Sequence, residues 1–312
     1  MAYALSSRSS SLSATQLLHP QKITEYSSVV TCNNKSTQTN VTCVYQAYIG
    51  GFWRNVTITW SKNLMNHCVT IYVDSIETET QSTCKIDLKP WHFWAKRGYK
   101  TFEVDEHQLE AYWDLRSATF SGSSPEPCAG YYVALIWEEE IVMLIGDYKR
   151  KAYKRTKARP SLVDAVFYYK KEHVFGKRSF ATRAKFDLKN KEHYIVVESS
   201  TTGPSDPEMW ISIDGVGLIH IKNLQWKFRG NQTVQVDKQP VQVFWDVYSW
   251  LFSTPGSSHG SFIFKPGEID LDTDIEDGNR VVDSDDGNGE SLFHSARSDS
   301  KFCMFLYAWK VE

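Results

Sequence analysis

A repeat at an offset of 132 residues limits the folds open to this chain. Val104-Asp105-x-x-x-Leu109-x-Ala111-Tyr112-Trp113-Asp114-Leu115 returns as Val236-Asp237-x-x-x-Val241-x-Val243-Phe244-Trp245-Asp246-Val247. The same offset pairs Trp94 with Trp226, Gly98 with Gly230, Phe120 with Phe252 and Ser121 with Ser253. With small gaps, Tyr131-Tyr132-Val133 meets Ser261-Phe262-Ile263, and Val69 to Asp74 meets Met209 to Asp214. An unbroken offset that keeps glycine, Trp-Asp and apolar parity predicts one β-unit written twice, over about 40–147 and 179–312. Propeller blades repeat at about 40–45 residues, so two copies this far apart exclude a propeller. Trp94, Trp113, Trp226 and Trp245 are expected as core anchors, each burying about 150–250 Å². The Asp after Trp113 and Trp245 is expected to satisfy backbone donors at the strand end.

The texture inside the copies is strand. Val56-Thr57-Ile58-Thr59-Trp60 and Val69-Thr70-Ile71-Tyr72-Val73 alternate apolar and polar, the period of half-buried strands. Ser61 to His67 reads as their hairpin connection. Further strands are expected near 84–88, 100–104, 108–114, 131–137 and 141–145, with Glu138-Glu139-Glu140 as an exposed turn. Strand 261–265 ends at Pro266-Gly267, and Phe302 to Trp309 resumes as a buried strand. Short strands with Gly/Pro turns give an all-β fold: two tandem antiparallel units of sandwich or barrel type.

Three segments stand apart by composition. Residues 1–38 are polar and rich in Ser and Thr, the pattern of a disordered tail; a transit peptide is the alternative. Residues 149–159, KRKAYKRTKAR, hold seven basic residues and no acid. They are read as a linker over 148–178. In it a short helix could begin at Pro160-Ser161-Leu162-Val163-Asp164, while Phe167-Tyr168-Tyr169 could be strand. The stretch 268–300 carries ten Asp and Glu between Glu268 and Glu290 against Arg280. It is expected as a disordered insertion in a hairpin, since loop closure grows only with the logarithm of length. The second unit is then 179–267 plus 301–312. We expect the acidic stretch to screen the basic segment until a polyanion displaces it.

Charge and cysteine usage narrow the setting. The 312 residues carry a formal net charge of −2, which excludes a wholly basic nucleic-acid binder. No apolar run reaches the roughly 18 residues of a spanning helix, so a soluble protein is expected. The six cysteines form no C-x-x-C pair, and in a chain of this size they read as free thiols in a reducing compartment. The sequons at Asn34, Asn40, Asn55 and Asn231 then read as chance matches, since no signal peptide precedes them.

Motifs for chemistry are sparse. There is no G-x-x-x-x-G-K-[ST] and no strand–G-x-G-x-x-G–helix. No His or Cys spacing suits zinc. Gly256-Ser257-Ser258-His259-Gly260 fits G-x-S-x-G, with Asp270 to Asp286 and His294 following in triad order. A strand follows it where the nucleophile elbow needs a helix, so it reads as a β-turn. Asp270-x-Asp272-x-Asp274 opens like a calcium loop, but Ile275 and Val281 stand where Gly and Glu are required. No cofactor and no metal are expected, and no catalytic residue is assigned.

The stretches TCVYQAYIGGFWRNVTITWSKNLMNHCVTIYV, CKIDLKPWHFW, SSPEP, KKEHVFGKR, MWISIDG, LQWKFRGNQTVQVDKQPVQVFWDVYSWLF and FLYAWK resemble a plant family known as domain of unknown function 868. The likeness runs from about Asn40 to Gly267 and returns at 302–312. It implies a plant source and an intracellular protein, and no activity, since the family carries none. The location expected is the cytoplasm, with the nucleus, the membrane periphery and the chloroplast as alternatives.

The functional expectation is a non-enzymatic binding or scaffold module with a protein partner. One alternative is an acidic lipid or polyanion binder using Lys149, Arg150, Lys151, Lys154, Arg155, Lys157 and Arg159, each worth about 1 kcal/mol near an anionic leaflet. The same patch could hold nucleic-acid phosphates, though Tyr153 alone is a poor stacking platform for base reading. Another alternative is a small-ligand site inside a β-barrel or between sheets.

Overall fold

The alternation read from the sequence becomes four antiparallel meanders, two in each half of the chain. The computed structural model describes residues 39–63, 67–77, 80–88, 96–121, 124–186, 191–200, 206–254, 257–267 and 302–310. The Ser-rich opening, Trp94, Gly256 and the acidic stretch with its Asp residues and His294 lie outside the described residues. The first meander is β1 (Thr39–Ile49), β2 (Phe52–Lys62), β3 (His67–Asp74) and β4 (Gln81–Asp87). The second runs through β5 (Arg97–Val104) and β6 (His107–Asp114), the small ribbon β7 (Thr119–Phe120) and β8 (Pro127–Ala129), then β9 (Tyr132–Trp137) and β10 (Glu140–Ile145). The chain continues through α1 (Lys149–Thr156), β11 (Arg159–Pro160) and β12 (Val166–Gly176). The third meander is β13 (Ser179–Lys185), β14 (Glu192–Ser200), β15 (Glu208–Ile213) and β16 (Val216–Ile221). The fourth is β17 (Arg229–Val236), β18 (Gln239–Asp246), β19 (His259–Pro266) and β20 (Cys303–Lys310), with the short helix α2 (Tyr248–Phe252) after β18.

Strand β12 decides how these pieces join. It pairs antiparallel with β1 and parallel with β20, so the first and fourth meanders fuse into one nine-stranded sheet, β17-β18-β19-β20-β12-β1-β2-β3-β4. Register places Val41, Glu172 and Leu306 in one row, and Val41 and Leu306 belong to two different cores. Both cores therefore lie on the same side of the long sheet. The second meander covers one core and the third covers the other, giving two sandwich-like lobes side by side on a shared sheet. No sheet closes into a barrel among the described residues, which removes the barrel alternative and the ligand cavity inside one. The long sheet ends in β17 on one side and β4 on the other, and the five-stranded sheet in β11 and β5, edges that a barrel would have to pair with one another.

Two expectations about the join are corrected, and the open choice at Phe167 is decided. The region read as a linker is mostly regular structure. The helix lies in the basic run itself, at Lys149–Thr156, and not from Pro160, which enters β11. Phe167, Tyr168 and Tyr169 are strand. Ala152 is fully buried and packs α1 onto Tyr132, Ala134, Ile136 and Ile141, so the basic run is docked on the first lobe. The apolar stripe that does this is one alanine and two partly buried tyrosines, too thin to read in a run of lysines.

The Trp anchors divide. Trp113 and Trp245 are buried at 8% and 9% exposure. Gly98 faces Trp113 across β5–β6, and Gly230 faces Trp245 across β17–β18. A Cβ on Gly98 would lie 2.8 Å from Cζ2 of Trp113, and on Gly230 2.3 Å from Cζ2 of Trp245, so each indole lies on a bare glycine backbone. Asp114 Oδ1 accepts from the Arg116 N–H at 3.2 Å and Asp246 Oδ1 from the Tyr248 N–H at 3.1 Å, the strand-end role expected. Trp226 is corrected: it is 81% exposed. It sits in the turn before β17, its N–H bonded to Asn223, and Leu224 takes the buried position there.

Candidate functional site

All seven predicted basic residues are exposed, and α1 carries five of them. The sequence folds as helix here against its own electrostatics. Lys149, Arg150 and Lys151 occupy the first turn, where the helix dipole favours acids and none is present. Arg150 and Lys154, and Lys151 and Arg155, are like-charge pairs at i,i+4, each destabilising by about 0.2–0.5 kcal/mol. What holds the helix is packing. Ala152 is buried, Tyr148 and Tyr153 are partly buried on the same cluster, and Lys157 ends it in the left-handed region at φ 59°, its N–H donating to the Tyr153 carbonyl at 2.9 Å. Just before the helix, Asp147 accepts from the N–H groups of Gly130 and Tyr131 at 2.8 and 3.0 Å and fixes its entry.

The seven do not behave alike. Arg159 is paired, its Nε 3.2 Å from Glu140 Oε2. Lys151 lies 3.4 Å from the centroid of the Tyr148 ring, a cation–π contact that keeps its charge. Lys149, Arg150, Lys151, Lys154, Arg155 and Lys157 have no acidic partner among the described residues. Six uncompensated cations, five on the seated helix and one at its C-cap, attract phosphate or carboxylate surfaces without further ordering of the backbone.

A second constellation was not read from the sequence. Beneath the seam between the lobes, Lys170 and Glu172 of β12 point to the core side of the long sheet. Lys170 Nζ lies 2.7 Å from Glu126 Oε2 and 3.8 Å from Glu172 Oε2, and donates to the Arg183 carbonyl at 3.3 Å. The Thr182 hydroxyl donates to Glu172, and the Cys43 thiol lies 3.7 Å from Glu126 Oε1. Burial opposes the charge on Lys170, but Glu126 and Glu172 outweigh it and hold the ammonium more firmly protonated than usual. Burial pushes the Glu172 carboxyl up, and burial with Glu126 beside it pushes the Cys43 thiol well up. Such a lysine and such a thiol are poor nucleophiles. The cluster ties Glu126 of one lobe to Thr182 and Arg183 of the other through β12. The signal was the strand Lys170-Lys171-Glu172-His173, whose alternation puts one Lys and one Glu on the buried face.

The opposite face of the long sheet bears a belt of rings. His259 lies 4.6 Å from Trp309 and 5.0 Å from Tyr307, and His173 lies 5.2 Å from Tyr307. Burial first, then Lys171 and His259, bring His173 down to about 4, so its ring is neutral at physiological pH, while the Lys171 ammonium lies 4.9 Å from the Tyr307 ring centroid. Ser258, the would-be nucleophile, precedes β19 and donates to the Ser249 carbonyl at 2.8 Å. No group of three or more His, Cys, Asp or Glu that could hold a metal ion occurs among the described residues.

Fold and surface together define a two-lobed layered β protein carrying a docked cationic helix. Its sequence matches the family described as "Plant protein of unknown function (DUF868)" over residues 36–310, and the chain belongs to that family. The match runs through the acidic stretch as well as the two lobes. No curated protein and no solved structure matches it.

Proposed function

We propose that this protein is a non-catalytic binding module that docks on an acidic membrane surface through α1. The observation that carries the reading is the set of six exposed cations without acidic partners, five on α1 and Lys157 at its C-cap, three of them in the first turn where the dipole disfavours them. At about 1 kcal/mol per cation near an anionic leaflet, six support reversible recruitment. Lipid headgroups are favoured over nucleic-acid bases because Tyr148 and Tyr153 are packed against the lobe beneath the helix, away from a stacking role. Non-catalytic action is supported by the seam, where the buried lysine and thiol are held in unreactive states. A setting inside the plant cell is part of the reading; five free cysteines among the described residues suit a reducing compartment.

We infer also that the two lobes are copies of one ancestral unit. The supporting parallels are the Gly98–Trp113 and Gly230–Trp245 pairings, and the N–H of Leu115 on the Lys96 carbonyl, 2.7 Å, beside that of Val247 on the Phe228 carbonyl, 2.9 Å. The membrane reading is tested by co-sedimentation with vesicles of phosphatidylserine and phosphatidylcholine. Wild type is expected to pellet at low salt, and a variant with Gln at the six positions is expected to stay in the supernatant. Pelleting by the variant, or binding of wild type to RNA but not to vesicles, would remove it.

A further inference from the structure

One end of the first lobe collects the loops that α1 does not cover. Six large apolar side chains stand exposed there: Tyr48, Phe52 and Trp53 on the β1–β2 tip, Ile76 after β3, and Leu162 and Val163 after β11, Leu162 at 99%. Several contacts bring these loops to the same end. Arg54 donates to the Ile49 carbonyl at 3.2 Å and the Asp74 carbonyl at 3.4 Å, and pairs with Asp105 in the β5–β6 turn. Gly50 lies on the Trp137 ring, and β12 begins opposite Gln46, four residues before that glycine. Between the β1–β2 tip and the β9–β10 turn lies a groove of about 400 Å³, walled by Tyr48, Trp137 and His107 and edged by Glu138 and Glu140.

The charge at this end is acidic. Glu77, Glu106, Glu138, Glu139 and Asp164 are exposed and have no ion-pair partner among the described residues. Three of them sit where the backbone does not want them. Glu138 and Glu139 have φ of 45° and 62°, and Glu106 has 63°, in two-residue hairpin turns whose positions favour Asn and Gly. Left-handed backbone costs a Glu about 1 kcal/mol or more, a cost the Asp237-Lys238 turn of the second lobe also bears. Arg159 shows what the groove accepts. Its Nε is 3.2 Å from Glu140, and the side chain remains 71% exposed, a guanidinium resting at the rim.

We propose that this end of the first lobe docks a basic, apolar-anchored segment of a partner protein, seating a lysine or arginine in the groove between Tyr48, Trp137 and Glu138. Aromatic walls and carboxylates together favour a cation. The hairpin-tip aromatics supply apolar area of the kind that anchors interfaces. Exposed Trp and Tyr also suit a bilayer boundary, but five unpaired carboxylates repel an acidic leaflet. The Arg159 N–H on the Glu139 carbonyl, 2.8 Å, brings the end of the basic segment to the same turn, but the proposal does not rest on the cations of α1.

The test uses the full chain and a fluorescein-labelled octapeptide of alternating arginine and leucine, read by anisotropy across a salt series. Binding is expected, with a glutamate–leucine octapeptide inert. The triple variant E106Q/E138Q/E139Q should bind about tenfold more weakly. Phe52→Ala with Trp53→Ala should weaken binding further, and Arg159→Ala should tighten it by emptying the rim. The six-glutamine variant of α1 should bind the peptide as well as wild type does, so failure of the membrane reading leaves this result standing. Glu138→Asn with Glu139→Gly separates folding from binding: it should raise the thermal midpoint by about 2–4 °C while losing affinity. No binding at about 1 mM peptide, or unchanged affinity in the triple variant, overturns the proposal. Vesicle binding abolished by Trp53→Ala, or self-association of the chain abolished by the triple variant, also overturns it by naming another occupant.

Discussion

The same corner of the two lobes is built from different chemistry. In the first, Arg54 at the start of β2 reaches the end of β3 and the β5–β6 turn, where it pairs with Asp105. In the second, His193 at the start of β14 meets Asp214 after β15 with Nδ1 to Oδ2 at 2.8 Å, while Asp237 in the β17–β18 turn pairs with Lys191. Arg54 and Asp105 have side chains 4% and 5% exposed, so both charges are out of water. His193 is 1% exposed, but its partner Asp214 is 40% exposed. One corner is locked by a buried permanent charge pair; the other is closed by a ring whose acid partner stays wet. A buried pair is fragile to loss of one member because the other remains desolvated and alone.

That contrast sets the largest expected effect. Arg54→Ala leaves Asp105 buried without its cation and should cost about 3–5 kcal/mol. His193→Ala should cost about 1–3 kcal/mol, since Asp214 retains the Tyr194 N–H at 2.8 Å and access to water. Urea denaturation of both variants checks the order; equal losses would break the comparison. Next come the glycines under the indoles. Gly230→Ala and Gly98→Ala should each cost about 1–3 kcal/mol through overpacking, with Gly230 the worse because its approach to Trp245 is closer. The smallest effect belongs to Trp226→Ala, expected within about 0.5 kcal/mol because the ring is in water.

Acid titration sharpens the same comparison. Burial opposes the charge of Asp105, but the Ser75 hydroxyl, Arg54 and the Ile76 N–H outweigh it and bring the carboxyl to about 2. A depressed carboxylate contributes stability that is present above its ordinary value of 3.8 and is lost as pH falls through about 2. Asp214 is also held low, against burial, by the Tyr194 N–H and His193. Its contribution likewise disappears in acid. The Ile76 amide, bonded to Asp105 Oδ2 at 3.1 Å, should therefore keep its exchange protection to near pH 2 and lose it below, after correction for intrinsic rate. Loss of that protection already at pH 4 would contradict the assignment of the lock to Asp105.

Much of the fold was legible because strands write their burial in period two. The pairing of β2 with β3, the turn at Glu138-Glu139 and the strand β20 stand within a residue or two of where alternation put them, the turn ending before Glu140 and the strand starting at Cys303 instead of Phe302. The Trp-Asp pairs were legible too, since a buried Trp followed by an Asp at the strand end leaves a fixed spacing; the glycine beneath each indole appeared only with the strand pairing. Trp226 was misread because an offset match reports likeness of position in the chain and says nothing of which way a turn points its ring. The α1 cations were named correctly, and their helix was missed because Ala152 alone marks its inner face. The seam cluster was unreadable because its members, Cys43, Glu126, Lys170, Glu172 and Thr182, are far apart in the chain.

The sequence by itself determined many of the strands, their faces and the two buried Trp-Asp strand ends, because side-chain alternation is a local constraint. Only the tertiary structure decided that the halves share one nine-stranded sheet through β12, that the basic run is a seated helix, and that acids and bare aromatics meet at one end of the first lobe. Those outcomes depend on which edge a strand joins and which loops meet at a pole, and such choices are set by long-range pairing and shared burial, which no local spacing encodes.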